Sequence, residues 1–179
     1  HEIGDWQHLA RMLRGNAIDC VMHFAALAYV GESVDDPLRY YRNNAAHAIE
    51  LLHAMRRAGV QKFVFSSTCA TYGEPKAEHI PIAEDCPQQP INPYGWSKFF
   101  VERTLTDYCR ANPDFSCAIL RYFNVAGSDR ECEIGEAHVP ETHLIPIILQ
   151  AALGLRPHVE IYGTDYPTPD GTCIRDYIH

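Results

Sequence analysis

The sequence predicts an α/β protein with a doubly wound parallel sheet, because short apolar strands alternate with long helices. The predicted strands cover residues 18–26, 62–67 and 116–122. Helices predicted over 38–58 and 94–111 separate them. Strand–helix–strand connections of this length favour right-handed crossovers between parallel strands.

Local signals support each element in turn. The run 18–26 is continuously apolar, so we expect this strand to be buried on both faces. Pro37 fits the first turn of the next helix, and Gly59 fits its end. The helix over 94–111 carries apolar residues at helical spacing, namely Phe99, Phe100, Val101, Leu105 and Tyr108.

The pattern changes after Asn124. A loop rich in glycine and acidic residues is followed by a predicted helix at 144–153 and a short strand at 159–162. The tail from Gly163 predicts loop structure. We therefore expect a core sheet layer over residues 1–124 and a smaller, less regular lobe over 125–179.

Composition excludes several classes of protein. A net charge of −8 over 179 residues argues against a nucleic-acid surface, and no apolar run reaches membrane-spanning length. The seven cysteines are scattered without a CxxC pair, which favours reduced thiols in a cytoplasmic protein. The ten histidines include neither HExxH nor zinc-finger spacing, so we expect no metal site.

Tyr94 and Lys98 form a Tyr-x-x-x-Lys pair on one face of a predicted helix. A phenol is a weak base at neutral pH, because its pKa lies near ~10. An ammonium about 4 Å away contributes ~4 kcal/mol at an effective dielectric of ~20, which lowers that pKa by up to ~3 units before lysine desolvation is subtracted. The pair predicts a general acid/base, although such pairs also arise by chance.

A second feature strengthens this interpretation. Ser66, Ser67 and Thr68 end a buried strand, and ligands of parallel sheets collect at the carboxyl ends of strands. A hydroxyl there can hydrogen-bond the oxygen that Tyr94 deprotonates. Hydroxyl-rich strand ends are common alone, but one followed about 25 residues later by Tyr-x-x-x-Lys is specific.

Thr68, Tyr94 and Lys98 resemble, in this order, the catalytic set of the extended short-chain dehydrogenase/reductases. Further collinear segments are similar to the UDP-glucose 4-epimerase branch of the NAD-dependent epimerase/dehydratase family. These segments are 23–26, 30–33, 37–44, 66–73, 93–98, 120–127, 162–172 and 175–179. The resemblance implies a partial Rossmann-like NAD-binding domain over 1–124 and part of a substrate-binding lobe over 125–179.

The resemblance also implies an activity and a set of roles. UDP-galactose and UDP-glucose would interconvert through a 4-keto sugar with tightly bound NAD, a step of galactose metabolism. Tyr94 would be the acid/base, Lys98 would tune it and hold the nicotinamide ribose, and Thr68 would bond the reacting hydroxyl. The implied cofactor contacts are Phe24, Ala25, Ala26, Asn43, Ser66, Tyr94, Lys98 and Tyr122. The implied substrate contacts are Thr68, Tyr94, Asn124, His143, Leu144, Tyr162 and Arg175, with Arg175 at the diphosphate.

The sequence departs from the family pattern in several places. The family begins with a strand and a glycine-rich turn for the NAD pyrophosphate, but no G-x-x-G-x-x-G occurs among the eleven glycines. We therefore expect a central piece of the enzyme that is inactive alone. Glu2 falls roughly where the family has an acidic residue near the adenine. Ala28 stands where some members carry a lysine, and His143 stands where some members carry an asparagine.

Alternatives remain open at this point. A 4,6-dehydratase is disfavoured, because Cys69 and Ala70 follow Thr68 and neither can transfer a proton usefully. An epimerase of UDP-N-acetylglucosamine, a UDP-pentose or UDP-glucuronate stays possible, as does a non-catalytic truncated homologue. The resemblance further implies a homodimer formed through the helices at 38–58 and 94–111.

Overall fold

The computed structural model describes residues 3–179, which form two compact units. The first unit ends at Tyr122, and the second runs from Phe123 to His179. Glu2, expected to lie near the adenine, falls outside the described residues.

A three-stranded parallel sheet organises the first unit. Its strands are β1 (Cys20–His23), β2 (Lys62–Thr68) and β3 (Ser116–Tyr122), in the order β1-β2-β3. The register places Met22 opposite Val64 and Thr68 opposite Tyr122. The predicted α/β class and its parallel sheet are confirmed.

Helices and tight turns connect these strands. The α-helices are α1 (Trp6–Gly15), α2 (Val30–Asp35), α3 (Pro37–Tyr40), α4 (His47–Ala58) and α5 (Pro93–Ala111). A π-helix spans Tyr41–Ala46, and 3₁₀ turns span Cys69–Thr71 and Ala77–His79. The single helix predicted over 38–58 is therefore interrupted. Gly59 ends α4 at φ 77°, as its position predicted.

The core lies between the helices and one face of the sheet. Phe63 and Phe65 of β2 pack there against Met55 of α4 and Leu105 of α5. The expectation that β1 is buried on both faces is wrong, since Met22 is 63% exposed. Successive strand side chains point to opposite faces, and the described helices bury only the face that carries Phe63 and Phe65.

The second unit contains one helix and one pair of strands. The helix α6 (Leu144–Ala152) confirms the predicted one, and β4 (Asn124–Val125) pairs in parallel with β5 (Tyr177–Ile178). The strand predicted at 159–162 is wrong: within the described chain this segment pairs with no strand, and Tyr162 is 93% exposed. The tail after Gly163, predicted to be loop throughout, supplies β5 instead. None of the helices in residues 3–179 is long and apolar enough to cross a membrane.

Candidate active site

The three parallel strands of the first unit end at one edge of the sheet, and the predicted catalytic residues lie there. β1 ends at His23, β2 at Thr68 and β3 at Tyr122. The rings of Phe24 and Tyr122 lie 6.5 Å apart at this edge. Ligands of parallel sheets bind beside such ends, so this edge is the candidate active site.

The N-terminal end of α5 brings Tyr94 to Thr68. The Asn92 side chain accepts a hydrogen bond from the Gly95 amide at 2.8 Å and so begins the helix. Gly95 lets the helix approach the 3₁₀ turn, because a Cβ there would lie 2.7 Å from the Ala70 carbonyl oxygen. A hydrogen-bonding interaction with the Thr68 side chain lowers the pKa of the Tyr94 phenol, which indicates that the two groups lie close together. Two predicted catalytic side chains therefore meet.

The ionisation of Tyr94 differs from the expectation. Burial raises the pKa of the phenol above its ordinary value, and this effect is larger than the lowering that the Thr68 hydrogen bond causes. The expected net lowering of this pKa is wrong. Among the described residues, Lys98 is not a source of the shift at Tyr94.

Lys98 is bound to the sheet. Its Nζ donates a hydrogen bond to the Ser66 carbonyl oxygen at 2.8 Å and lies 5.0 Å from the centre of the Phe65 ring. Burial lowers the pKa of Lys98 to about 8, so the ammonium form still predominates at neutral pH. Burial and the nearby Lys98 charge lower the pKa of His23 to about 4, which keeps that imidazole neutral. The site thus holds one buried cation beside a neutral histidine.

Asn44 orders the loop after β1, a role that the sequence analysis missed. Its side chain accepts a hydrogen bond from the Leu27 amide at 2.9 Å and donates to the Leu27 carbonyl at 3.0 Å. It also donates to the Ser97 hydroxyl of α5 at 3.0 Å. The predicted cofactor residues Ala25 and Ala26 precede Leu27 in this loop, and the amide of Asn43 bonds that of Asn44. The sequence signal that could have indicated this role is the pair Asn43-Asn44 inside a predicted helix, because asparagine has a low helix propensity.

A buried carboxylate supports the site from behind. Glu102 of α5 is 4% exposed, accepts a hydrogen bond from Ser67 and forms a 2.8 Å salt bridge with Arg121 of β3. Arg121 also donates to the Tyr72 hydroxyl at 2.8 Å. This network ties β2, β3 and α5 together next to Thr68, and its members were also missed.

The predicted substrate residues of the second unit each have local contacts. The Asn124 amide donates to the Asp176 carbonyl at 2.8 Å and joins β4 to the segment before β5. Arg175 donates to the Ile174 carbonyl at 3.0 Å, and within residues 123–179 no salt bridge joins it to Asp170 or Asp176. Tyr162 bonds Glu160 at 2.7 Å, Leu144 begins α6, and His143 contacts Glu136 and Glu141. No hydrogen bond in this described unit links the five to one another.

Comparisons with known proteins identify relatives along nearly the whole chain. A UDP-glucose 4-epimerase of Azospirillum brasilense is 54% identical over 99% of this chain and 50% of its own length. A rice protein (Oryza sativa subsp. japonica) named probable UDP-arabinose 4-epimerase 3 is 49% identical over 99% of this chain and 44% of its own length. The chain thus spans about half the length of these curated relatives.

A solved structure shares the fold. The UDP-glucose 4-epimerase of Stenotrophomonas maltophila, with bound NAD and formylated UDP-arabinopyranose, superposes with a TM-score of 0.94. It is 45% identical, and the match covers 100% of this chain and 53% of that one. A sequence model of one family matches residues 2–179, and the chain therefore belongs to the NAD dependent epimerase/dehydratase family.

Proposed function

We propose that this chain carries the catalytic core of an NAD-dependent 4-epimerase that interconverts UDP-galactose and UDP-glucose in galactose metabolism. The observation that carries the proposal is the interaction of Tyr94 with Thr68 at the carboxyl edge of the sheet, together with the buried cation Lys98 on the same helix as Tyr94. The names of the relatives support the substrate class.

The residues at this edge fit a nicotinamide ribose. Phe24 is 52% exposed beside Tyr122, which leaves an aromatic surface for a flat ring. Ala25 and Ala26 extend no further than Cβ, so a cofactor can approach the backbone closely. Lys98 supplies an ammonium donor for ribose hydroxyls. We assign the remaining cofactor contacts to Asn43 and to Ser66, whose carbonyl positions Lys98.

In the proposed reaction, Tyr94 takes the proton of the sugar C4 hydroxyl and later returns it, while Thr68 holds the same oxygen. Bound NAD would supply the hydride chemistry at C4, and a positively charged nicotinamide ring near the phenol would favour the phenolate form of Tyr94. A cation is needed there, because burial alone raises the pKa of Tyr94. Proton transfer at neutral pH therefore depends on positive charge near the phenol.

We assign recognition of the nucleotide sugar to the second unit. Arg175 offers a planar guanidinium that matches diphosphate oxygens. The other assigned contacts are Asn124, His143, Leu144 and Tyr162. A second candidate substrate is a UDP-pentose, which the name of the rice relative favours. UDP-N-acetylglucosamine and UDP-glucuronate remain comparison substrates for the assay.

The test is conversion of UDP-galactose to UDP-glucose by the complete gene product, with Tyr94→Phe as the matched variant. We expect kcat of Tyr94→Phe to fall by ~10²–10⁴ because the acid/base is lost, while NAD stays bound. A folded, NAD-bound protein that converts a UDP-pentose but neither UDP-hexose would favour the second candidate. Equal activity of Tyr94→Phe and the unchanged protein would exclude Tyr94 as the acid/base. No conversion of any UDP-sugar, with NAD bound, would favour a non-catalytic homologue.

Three further expectations belong to this proposal. Residues 1–179 alone should be inactive, because they hold no G-x-x-G-x-x-G turn for the NAD pyrophosphate. A cytoplasmic location is supported by seven free cysteines. A homodimer is supported by exposed aromatic residues on α5, where Trp96 is 37% and Phe100 is 45% exposed.

A further inference from the structure

Four metal-binding side chains converge in the loop before α6. Glu136, His138, Glu141 and His143 each offer one ligand atom, and these atoms all lie within 4.8 Å of one another. The Nδ1 atoms of both histidines lie close to Glu136 Oε1, at 2.8 Å for His138 and 2.9 Å for His143. The four residues span eight positions, so the segment forms the cluster by itself.

Hydrogen bonding accounts for only part of this arrangement. His143 Nδ1 lies 2.9 Å from Glu136 Oε1 and also 2.9 Å from Glu141 Oε1. An imidazole nitrogen carries at most one hydrogen and can point it at one oxygen. His138 Nδ1 approaches both carboxylates as well, at 2.8 Å to Glu136 and 4.0 Å to Glu141. The His143 nitrogen thus lies at hydrogen-bond distance from two carboxylates.

The spacing of the ligand atoms is close to that of a tetrahedral zinc centre. Zinc binds histidine nitrogen and carboxylate oxygen at ~2.0–2.2 Å, which separates tetrahedral ligand atoms by ~3.3–3.6 Å. The two His138 distances are 2.8 and 4.0 Å, and all four ligand atoms lie within 4.8 Å of one another. A cation among these atoms would therefore need shifts of about 1 Å.

Glu141 is already held in place for such a role. Its Oε1 accepts hydrogen bonds from the backbone amides of Thr142 and His143, both at 2.8 Å. Its side chain is only 9% exposed, in contrast to 52% for His143. A carboxylate that is already held in place lowers the entropy cost of completing the site.

We propose that Glu136, His138, Glu141 and His143 bind one zinc ion that fixes this loop at the start of α6. Two imidazoles with two carboxylates suit zinc, while magnesium and calcium prefer oxygen ligands alone. The two carboxylates balance the charge of the ion. The Nε2 atom of His143 stays available for the nucleotide contact that the resemblance implies. The zinc site stands on its own geometry and does not depend on the proposed reaction.

No metal site was expected from the sequence, because the Glu-x-His-x-x-Glu-x-His spacing is neither HExxH nor a zinc-finger pattern.

The test titrates the full, tag-free chain with Zn²⁺ by calorimetry and with Co²⁺ by visible absorption. We expect one ion per chain and the intense d–d absorption of four-coordinate cobalt. His138→Gln and Glu136→Gln should each lower the Zn²⁺ affinity at least about 100-fold, the upper end of the effect of losing an outer-shell partner.

Two controls separate this site from other zinc ligands. His158→Gln removes an exposed histidine that also pairs with a glutamate, Glu160, outside the cluster, and it should keep the wild-type affinity. Cys132→Ser removes an exposed thiol near the loop and should do the same. Circular dichroism confirms that each variant is folded. Absence of Zn²⁺ binding, unchanged affinity in folded His138→Gln and Glu136→Gln, or a thiolate-to-cobalt band lost in Cys132→Ser would each overturn the proposal.

Discussion

The hydroxyl of Thr68 lowers the pKa of the Tyr94 phenol, in opposition to burial. Thr68→Val removes the hydrogen bond and keeps the side-chain shape, so the pKa of Tyr94 should rise further. We expect kcat to fall ~5–30-fold for a loss of about 1–2 kcal/mol, and the rising limb of the kcat–pH profile to move to higher pH. Thr68→Ser keeps the hydroxyl and should retain the wild-type profile. A Thr68→Val profile that coincides with wild type would contradict this role.

His23 makes the stability of the fold depend on pH. Its pKa is about 4 in the folded protein and 6.5 when exposed, so between these values the unfolded chain binds a proton that the folded chain does not. The free energy of unfolding should therefore be intact above pH 6.5, decline as pH falls towards 4, and lose up to about 3 kcal/mol.

The variant His23→Phe isolates this contribution. The free energy of unfolding of His23→Phe should depend less steeply on pH between 4 and 6.5, by the slope that uptake of up to about one proton causes. Urea unfolding at several pH values measures this slope. Phenylalanine suits the position, because the His23 ring lies 6.0 Å from those of Phe63 and Phe65. Identical pH slopes for His23→Phe and wild type would show that His23 titrates normally.

These residues also show where the sequence is informative. Spacing was enough to predict that Tyr94 and Lys98 lie on one helix, and a strand end was enough to propose Thr68. The direction of the Tyr94 pKa shift was not accessible, since it depends on burial by residues distant in sequence. Asn44 was missed for the same reason, because its partner Ser97 lies 53 positions away.

At the level of elements, the position of α5 depends on one glycine. A Cβ at Gly95 would lie 2.7 Å from the Ala70 carbonyl oxygen and 3.1 Å from Pro90 Cβ, so Gly95→Ala must push the helix away from the turn. We expect a loss of ~1–3 kcal/mol of stability, as for other overpacked sites, and a larger relative loss of activity because Tyr94 moves from Thr68.

Gly15→Ala is the matched control for that prediction. A Cβ at Gly15 meets nothing within 4 Å, and this glycine ends α1. Thermal unfolding and kcat should therefore be close to wild type or slightly improved in Gly15→Ala. If Gly95→Ala matched Gly15→Ala in both measurements, the close approach of α5 to the turn would not matter for the site.

Elements were predictable where the signal was local. Continuous apolar runs gave all three strands of the first unit, and Pro37 with Gly59 marked helix ends. The prediction of a strand at 159–162 is wrong, because a segment of alternating apolar residues forms a strand only when it pairs with another one. The described second unit provides no partner for it. The pair β4–β5 joins residues about 50 positions apart, and the amides of Asn124 and Ala126 donate backbone hydrogen bonds to the carbonyls of Asp176 and Ile178. Strands of two residues are too short for a sequence pattern to indicate.

At the scale of the whole molecule, the proposed dimer depends on an exposed aromatic cluster of the first unit. Trp96 and Phe100 lie 5.8 Å apart on α5, and Phe100 lies 5.8 Å from Tyr41 of the π-helix. Neighbouring exposed aromatic side chains are enriched at protein interfaces and costly to leave in water. The same two helical segments were the ones for which the sequence resemblance implied an interface.

The double variant Trp96→Glu, Phe100→Glu tests this cluster. Placing two carboxylates in an apolar contact costs more than the contact gains, so we expect the complete gene product to change from dimer to monomer. Light scattering after size exclusion measures the mass directly. Arg110→Glu alters charge on the same helix, where the side chain is 72% exposed, and should leave the dimer intact. A dimer that survives the double variant would place the interface elsewhere, and the exposed aromatic cluster would then need another partner.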